Sequence, residues 1–187
     1  MANLALADFI AHSAACATQL ADPADCVAAL APVMHTLLAQ ADSFLEPQHL
    51  QPDPQHYARH AIYVAPDQSL SLYAIVWTPG QWTPVHDHGS WGVVGVLRGM
   101  LEERSYIRMS ADPAADTGIA LARGGVILLA PGTVTSFVPN PDHIHVTGVA
   151  ADRAPVVSLH LYGRNMDSFH VYDLAAGSRK RVTVPHS

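Results

Sequence analysis

The stretch Pro84-Val85-His86-Asp87-His88-Gly89-Ser90-Trp91-Gly92, followed by an apolar run over 93–97 and then Arg98-Gly99, decides how the rest of the chain is read. Two histidines two residues apart share one face of an extended strand, and Asp87 takes the other. That face then carries two neutral imidazoles, donors that suit iron, zinc, copper or nickel and need one or two further ligands to close a site. A bare His-x-His is better explained as two polar residues on a strand surface. The sequence around it therefore has to decide.

Moving outward, short β-type runs recur at 60–64, 70–77, 93–97, 101–109, 125–129, 134–138, 144–149 and 156–162, separated by turn residues such as Pro66-Asp67-Gln68 and Pro79-Gly80. Many short strands with Gly/Pro turns predict an antiparallel sandwich or barrel. The segment 111–117 reads as a polar connecting loop that could move. Residues 3–41 differ in character, with apolar residues at helical spacing in an alanine-rich background. Asp22-Pro23 supplies an N-cap followed by proline at the first helical position, so a second helix is expected from Pro23 to about Ala41. The expected architecture is mainly β, one domain over 1–187, with a helical segment (1–45) packed outside a β-barrel (46–187).

The totals agree with a single folded unit. A length of 187 residues supports one core, and 49% hydrophobic against 14% charged residues excludes a disordered chain. The formal net charge is −6 and Lys180 is the one lysine, so neither nucleic acid nor an anionic membrane is expected as a partner. The short basic run Arg179-Lys180-Arg181 reads as a solvated terminal face. The first residues lack a basic secretory n-region and no apolar run reaches bilayer length, which gives a cytoplasmic reading. Cys16 and Cys26 read as reduced, buried small residues. His12 and His35 read as polar positions on amphipathic helices. With twelve histidines and two cysteines, a metal site here should be rich in nitrogen.

Two further stretches bear on the site. His143 and His145 form a second His-x-His, and a β-barrel can bring its strand against the first, with either histidine as third ligand. In Val156-Val157-Ser158-Leu159-His160-Leu161-Tyr162, alternation puts Ser158, His160 and Tyr162 on one face and the leucines on the other. That face is either an ordinary polar exterior or a hydrogen-bonded relay lining a cavity, in which Ser158 orients His160 and His160 positions the Tyr162 hydroxyl as a proton donor. Trp77, Trp82 and Trp91 read as packing or as walls of a pocket. Arg164, just past this strand, is a candidate anion contact.

These residues together resemble a known family. Gly80, five residues, His86-Asp87-His88 and a gap to Gly99 resemble the first motif of the cupins, and Gly125 to Pro131-Gly132 with a later histidine resembles the second. Ser158-Leu159-His160-Leu161-Tyr162 is similar to the Ser-His-Tyr relay strand of the cysteine dioxygenase family, the thiol dioxygenase branch of the cupins. Tyr57-Ala58-Arg59 resembles its Tyr-x-Arg, whose guanidinium binds the substrate carboxylate. Several motifs in the right order are more specific than any one.

The resemblance implies a cupin, jelly-roll-like antiparallel β-barrel. It implies Fe(II) held by His86, His88 and, counting back from Tyr162, His145 rather than His143. Ser158, His160 and Tyr162 would be catalytic, and Tyr57 and Arg59 would bind substrate, with Arg164 as a further contact. The implied reaction adds both atoms of O2 to the sulfur of a small carboxylate-bearing thiol, L-cysteine to cysteine sulfinate first. Alternatives are 3-mercaptopropionate, mercaptosuccinate if Arg164 faces the pocket, a zinc or nickel cupin of other chemistry, or a non-enzymatic metal- or anion-binding sensor. A monomer or small homo-oligomer is expected. One departure stands out: where many cupins carry a glutamate ligand, and animal cysteine dioxygenases a cysteine crosslinked to the relay tyrosine, this chain has Gly92.

Overall fold

The computed structural model describes residues 4–139 and 143–184, the side chains from Leu6 onward. Its helices start and stop where local chemistry demands. Helix α1 spans Leu4–Gln19 and α2 spans Pro23–Leu38. The Asp22 side chain accepts a hydrogen bond from the Ala24 amide at 2.9 Å, and Pro23 fills the position that needs no donor. Helix α2 ends at Leu38, short of the expected Ala41, where a 3-10 turn over Ala41–Ser43 takes over. It buries Cys26, Val27, Leu30, Met34, Leu37 and Leu38.

The strands are β1 (Ala58–Val64), β2 (Ser71–Trp77), β3 (Gly92–Arg98), β4 (Leu101–Arg108), β5 (Leu121–Leu129), β6 (Val134–Phe137), β7 (Ile144–Gly148), β8 (Val156–Tyr162), β9 (Ser168–Asp173) and β10 (Ser178–Thr183). They form a five-stranded sheet in the order β1-β2-β8-β3-β6, a three-stranded sheet β5-β4-β7 and a hairpin β9-β10, with every pairing antiparallel. The fold is mainly β and jelly-roll-like. The expected barrel is not closed: among the described residues no strand ladder joins the sheets, and backbone hydrogen bonds from 80–86 to the β7 edge, with isolated bridges such as Trp82↔Gly148 and His86↔His145, stitch the structure together.

Both faces of the five-stranded sheet are covered, and this positions the site. Leu159 and Leu161 of β8, with Leu72 and Ala74 of β2 and Val93 of β3, pack against the α2 side chains. At this junction a side chain on Gly95 would meet Leu38 at 2.9 Å, so the helix is seated directly on the sheet backbone. The opposite face carries Tyr73, Ile75, Trp77, Val94 and Tyr162, which form a second core between the sheets with Phe137, Met166 and Phe169. Ser158, His160 and Tyr162 point to this interior, and β8 is buried along its whole length.

Three expectations need correction. The first His-x-His is not on a regular strand: β3 begins at Gly92, and 84–91 is an extended connection held by single bridges from His86 to His145 and Val171. The basic run is a solvated face only in part: it lies in β10, where Lys180 and Arg181 are exposed. Arg179 turns inward, with 10% of its side chain exposed, and bonds Asp116 at 2.8 Å and the Ala114 carbonyl at 3.2 Å. Together with Arg108, which donates to the Asp112 and Ala115 carbonyls at 2.9 and 2.8 Å, it also ties down the 111–117 loop. Cys16 and Cys26 are free and buried, as expected. Among the described residues no helix is long and apolar enough to cross a membrane.

Candidate metal centre

His86 and His145 meet because their backbones bridge reciprocally, N to O, at 2.9 and 3.0 Å. His88 then enters from the connection leading into β3. The three ring centroids form a near-equilateral triangle, 4.8 Å for His86–His88, 4.6 Å for His86–His145 and 4.9 Å for His88–His145. All three residues are buried, and each offers one nitrogen to a group compact enough to hold a metal ion. Burial, reinforced by the neighbouring imidazoles, holds His86 and His88 well below the ordinary histidine pKa; burial also lowers His145, against the pull of Glu103. The rings are therefore neutral, with lone pairs available. His86 Nδ1 faces the Pro84 carbonyl at 3.0 Å, which leaves Nε2 as the donor. His145 Nε2 is buried without a hydrogen-bond partner among the described residues, an arrangement that costs free energy unless a cation completes it. Three neutral nitrogens of this kind fit a borderline divalent metal.

The residue between the first two histidines faces the other way. Asp87, 3% exposed, accepts from the Tyr172 hydroxyl at 2.8 Å and lies 3.1 Å from His170 Nδ1, both on β9. The hairpin is thereby fastened to the back of the ligand segment.

On β8, Trp77 Nε1 donates to Ser158 Oγ at 3.0 Å, Ser158 Oγ lies 2.8 Å from His160 Nε2, and His160 Nδ1 lies 3.1 Å from the Tyr162 hydroxyl. Indole nitrogen can only donate, and among the described residues His160 Nε2 is the remaining hydrogen-bond partner of Ser158 Oγ, so the tautomer that gives the Ser158 proton an acceptor directs it to His160 Nε2. The Nδ1–H of His160 then goes to Tyr162, and the phenol proton is left for the pocket. Burial pushes His160 down to about 3 and the Tyr162 hydroxyl up, so the relay is uncharged. Trp77 is thus a part of the relay, whereas Trp82 carries the Arg104 guanidinium 4.2 Å above its ring and Trp91 packs in the helix-facing core.

The triad and the relay open into one pocket, whose lining also includes Tyr57, Arg59, Phe137, Met166 and Phe169. Arg59 donates to the Met166 carbonyl and lies 4.9 Å over the Tyr73 ring, while Tyr57 stacks on Trp77 with centroids 4.7 Å apart. Arg164 is not brought in. Its guanidinium donates to Ser168 O and Oγ at 2.7 and 2.9 Å and approaches Asp167, and it does not line the pocket. These contacts, with a further one from Nε to the Asn165 carbonyl at 3.1 Å, hold it outside.

Two neighbours were not foreseen. Glu103 on β4 has Oε1 3.1 Å from His143 Nε2 and Oε2 3.2 Å from His145 Nδ1. Burial opposes its ionisation, but contacts with the two imidazoles outweigh this and hold it below the usual carboxylate range. The pair Glu102-Glu103 carried a signal, since two adjacent carboxylates on a strand must put one on the inner face. Phe137 carried none. Its ring lies 4.3 Å from His88 and 4.5 Å from His143, and a side chain on Gly92 would meet it at 2.4 Å. Gly92 pairs with Phe137 on one side and Tyr162 on the other, so Phe137 fills the space a crosslinking cysteine would need.

A family model for cysteine dioxygenase type I matches residues 17–175. The chain belongs to the cysteine dioxygenase family. Membership supports an oxygenase-type enzyme, and the three-histidine group is where this cysteine dioxygenase family member can bind a metal. Among solved structures, the chain is similar to a conserved protein with a double-stranded β-helix domain from Klebsiella pneumoniae (14% identity, 67% of this chain and 92% of that one, TM-score 0.49). It is also similar to a protein from Thermus thermophilus (16% identity, 65% and 97%, TM-score 0.45) and to a cupin-like protein from Thermotoga maritima (15% identity, 72% and 84%, TM-score 0.41). Likenesses of that strength carry no argument about chemistry.

Proposed function

We propose that the protein is a cytoplasmic, iron(II)-dependent thiol dioxygenase that adds both atoms of O2 to the sulfur of a small carboxylate-bearing thiol, with L-cysteine the leading substrate. The observation that carries this reading is the triangle of neutral imidazoles, without a carboxylate among them, opening into the same pocket as Arg59 and Tyr162. Iron(II) held by His86, His88 and His145 would supply thiol deprotonation and the redox chemistry by which dioxygen reacts with sulfur. A ligand set of uncharged nitrogens favours an anionic fourth partner, which a thiolate provides.

The chain's own residues do the rest. Arg59, fixed by the Met166 carbonyl and the Tyr73 ring, holds the substrate carboxylate by a charge-assisted contact and so sets the direction of the thiol. Tyr162, its oxygen occupied by the His160 Nδ1–H, turns its own proton toward the reacting group and donates a hydrogen bond there. The aromatic and aliphatic walls, Trp77, Val94, Phe137, Met166 and Phe169, exclude bulk water from the sulfur. Both oxygen atoms end on one product, a sulfinate, so no external reductant is consumed.

A second substrate reading has its own support. Among the described residues Arg59 is the one arginine or lysine in the lining, and no Asp or Glu lines the pocket to meet an ammonium group. This suits a plain mercapto acid such as 3-mercaptopropionate. The dicarboxylate mercaptosuccinate would need a second cation, and Arg164 is engaged elsewhere. Oxygen-electrode assays of iron-loaded protein with these three thiols, with mass analysis of products, test the proposal. Uptake of one O2 per thiol with a sulfinate product is expected for cysteine or 3-mercaptopropionate. No uptake with any thiol would leave a sensor, and full activity with zinc or nickel in place of iron would refute iron chemistry.

A further inference from the structure

Glu103 is a buried charge that the relay and the substrate contacts do not use. Its side chain is 10% exposed, and burying a carboxylate is costly unless it is matched. The nearby arginines do not match it: Arg104 and Arg153 both pair with Glu102, at 2.8 and 3.2 Å. Instead its two oxygens divide between the two histidines of the second His-x-His. Strand register explains the reach, since β4 pairs with β7 so that Ser105 faces His145 and Glu103 faces Thr147, which makes Glu103 and His145 diagonal neighbours. The contact with His145 is at ion-pair distance, 3.2 Å, without the alignment of a hydrogen bond, and is made to Nδ1, the nitrogen on the far side of the ring from Nε2.

We propose that Glu103 is a positioning residue for the metal. By holding the proton of His145 on Nδ1 it commits Nε2 to the cation, and it returns one negative charge to a ligand set that otherwise has none. His143, with Nε2 3.1 Å from Oε1, anchors the carboxylate from its other oxygen and is not a ligand. The inference rests on the three-histidine reading of the metal site, but not on the identity of the thiol. The rival is a cation held by Glu103, His143 and His145 themselves, whose donor atoms are also close enough together.

The test is anaerobic titration of metal-stripped, full-length protein with Fe(II) and, in parallel, Co(II), followed by calorimetry and visible absorption. Wild type is expected to bind one equivalent. Glu103→Gln should bind it about 10- to 100-fold more weakly, with shifted Co(II) bands, while the metal-free melting temperature stays near wild type. Glu103→Asp, which keeps the charge but shortens the side chain, should fall between the two and decides the matter if the glutamine variant does not fold. His143→Ala should keep one equivalent with a smaller loss. Affinity within twofold of wild type and an unchanged Co(II) spectrum in Glu103→Gln, or in Glu103→Asp if that variant has to decide, would overturn the proposal. So would a second equivalent in wild type that Glu103→Gln and His143→Ala both abolish. A wild type that binds no metal overturns the metal reading along with it, whereas one that binds metal but oxidises no thiol overturns the proposed activity alone.

Discussion

The two His-x-His pairs have the same spacing and different uses. His86 and His88 both turn to the triad, while Asp87 between them is taken by Tyr172 and His170. In the second pair only His145 reaches the triad. Ile144 between them is 1% exposed in an apolar cluster that includes the same Tyr172, and His143 turns to Glu103. Spacing therefore places imidazoles on a face without saying what each will meet. That is settled by the atoms behind the ring: a carbonyl behind His86, and a carboxylate shared behind His145 and His143.

The sharpest way to break this comparison is to remove one histidine from each pair. His86→Ala should lose metal binding and at least about a thousandfold of thiol oxidation, because two nitrogens no longer close the site, while His143→Ala should keep its metal and lose less than about tenfold. Metal analysis and oxygen uptake on the two variants check this, and equal losses would mean that both members of the second pair are ligands. Next in size is Tyr162→Phe. It should keep its metal and slow turnover by about a hundredfold, the lower end of what a positioned proton donor contributes. Unchanged turnover would mean that the Trp77–Ser158–His160–Tyr162 chain is structural.

Acid should discriminate less steeply but in a fixed direction. His86, His88, His145 and His160 all have folded-state pKa values below the ordinary one, chiefly through burial, with His160 down to about 3. Below about pH 6.5 the unfolded chain binds protons that the folded chain refuses, so stability is whole above that pH and is lost as pH falls from it toward 3. His160 alone contributes a slope of about one proton across that window, and the other three add to it in the same direction. Melting temperatures of metal-free protein from pH 7.5 to 5 should therefore fall, and His160→Asn should flatten the slope by about one proton. A flat profile in wild type would mean that the rings are solvated.

How far the sequence carried can be judged from particular residues. Strands β1 to β8 were legible as short β-type runs bounded by turn residues, and both helices by apolar residues at helical spacing. Strands β9 and β10 were not: Ser-Arg-Lys-Arg-Val-Thr carries little apolar signal, and although Phe169, Val171 and Tyr172 give β9 a β-type pattern, the two strands form a hairpin whose strand pairing reaches the rest of the fold only through isolated bridges among the described residues. The alternation of β8 was legible but its sense was not: a Ser-His-Tyr face can point inward only because helix α2 supplies an apolar cover for the leucine face, and that cover is a tertiary fact. For the same reason the gathering of His86, His88 and His145 could be expected, whereas the retreat of Arg164 to the Ser168 carbonyl could not.

The smallest effect concerns Phe137, the ring that lies against one histidine of each pair. It is 4.3 Å from His88 and 4.5 Å from His143, and it occupies the space over Gly92. Gly92→Cys forces the Cβ to within 2.4 Å of that ring, and overpacking of this kind costs about 1–3 kcal/mol. The variant should melt several degrees lower, and Phe137→Ala in the same chain should recover part of the loss by making room. Because Phe137 also backs His88, the double variant should recover stability more fully than metal affinity. If instead Gly92→Cys melts like wild type, the ring is free to move aside, and the packing of Phe137 against His88 and His143 is not a fixed feature of the site.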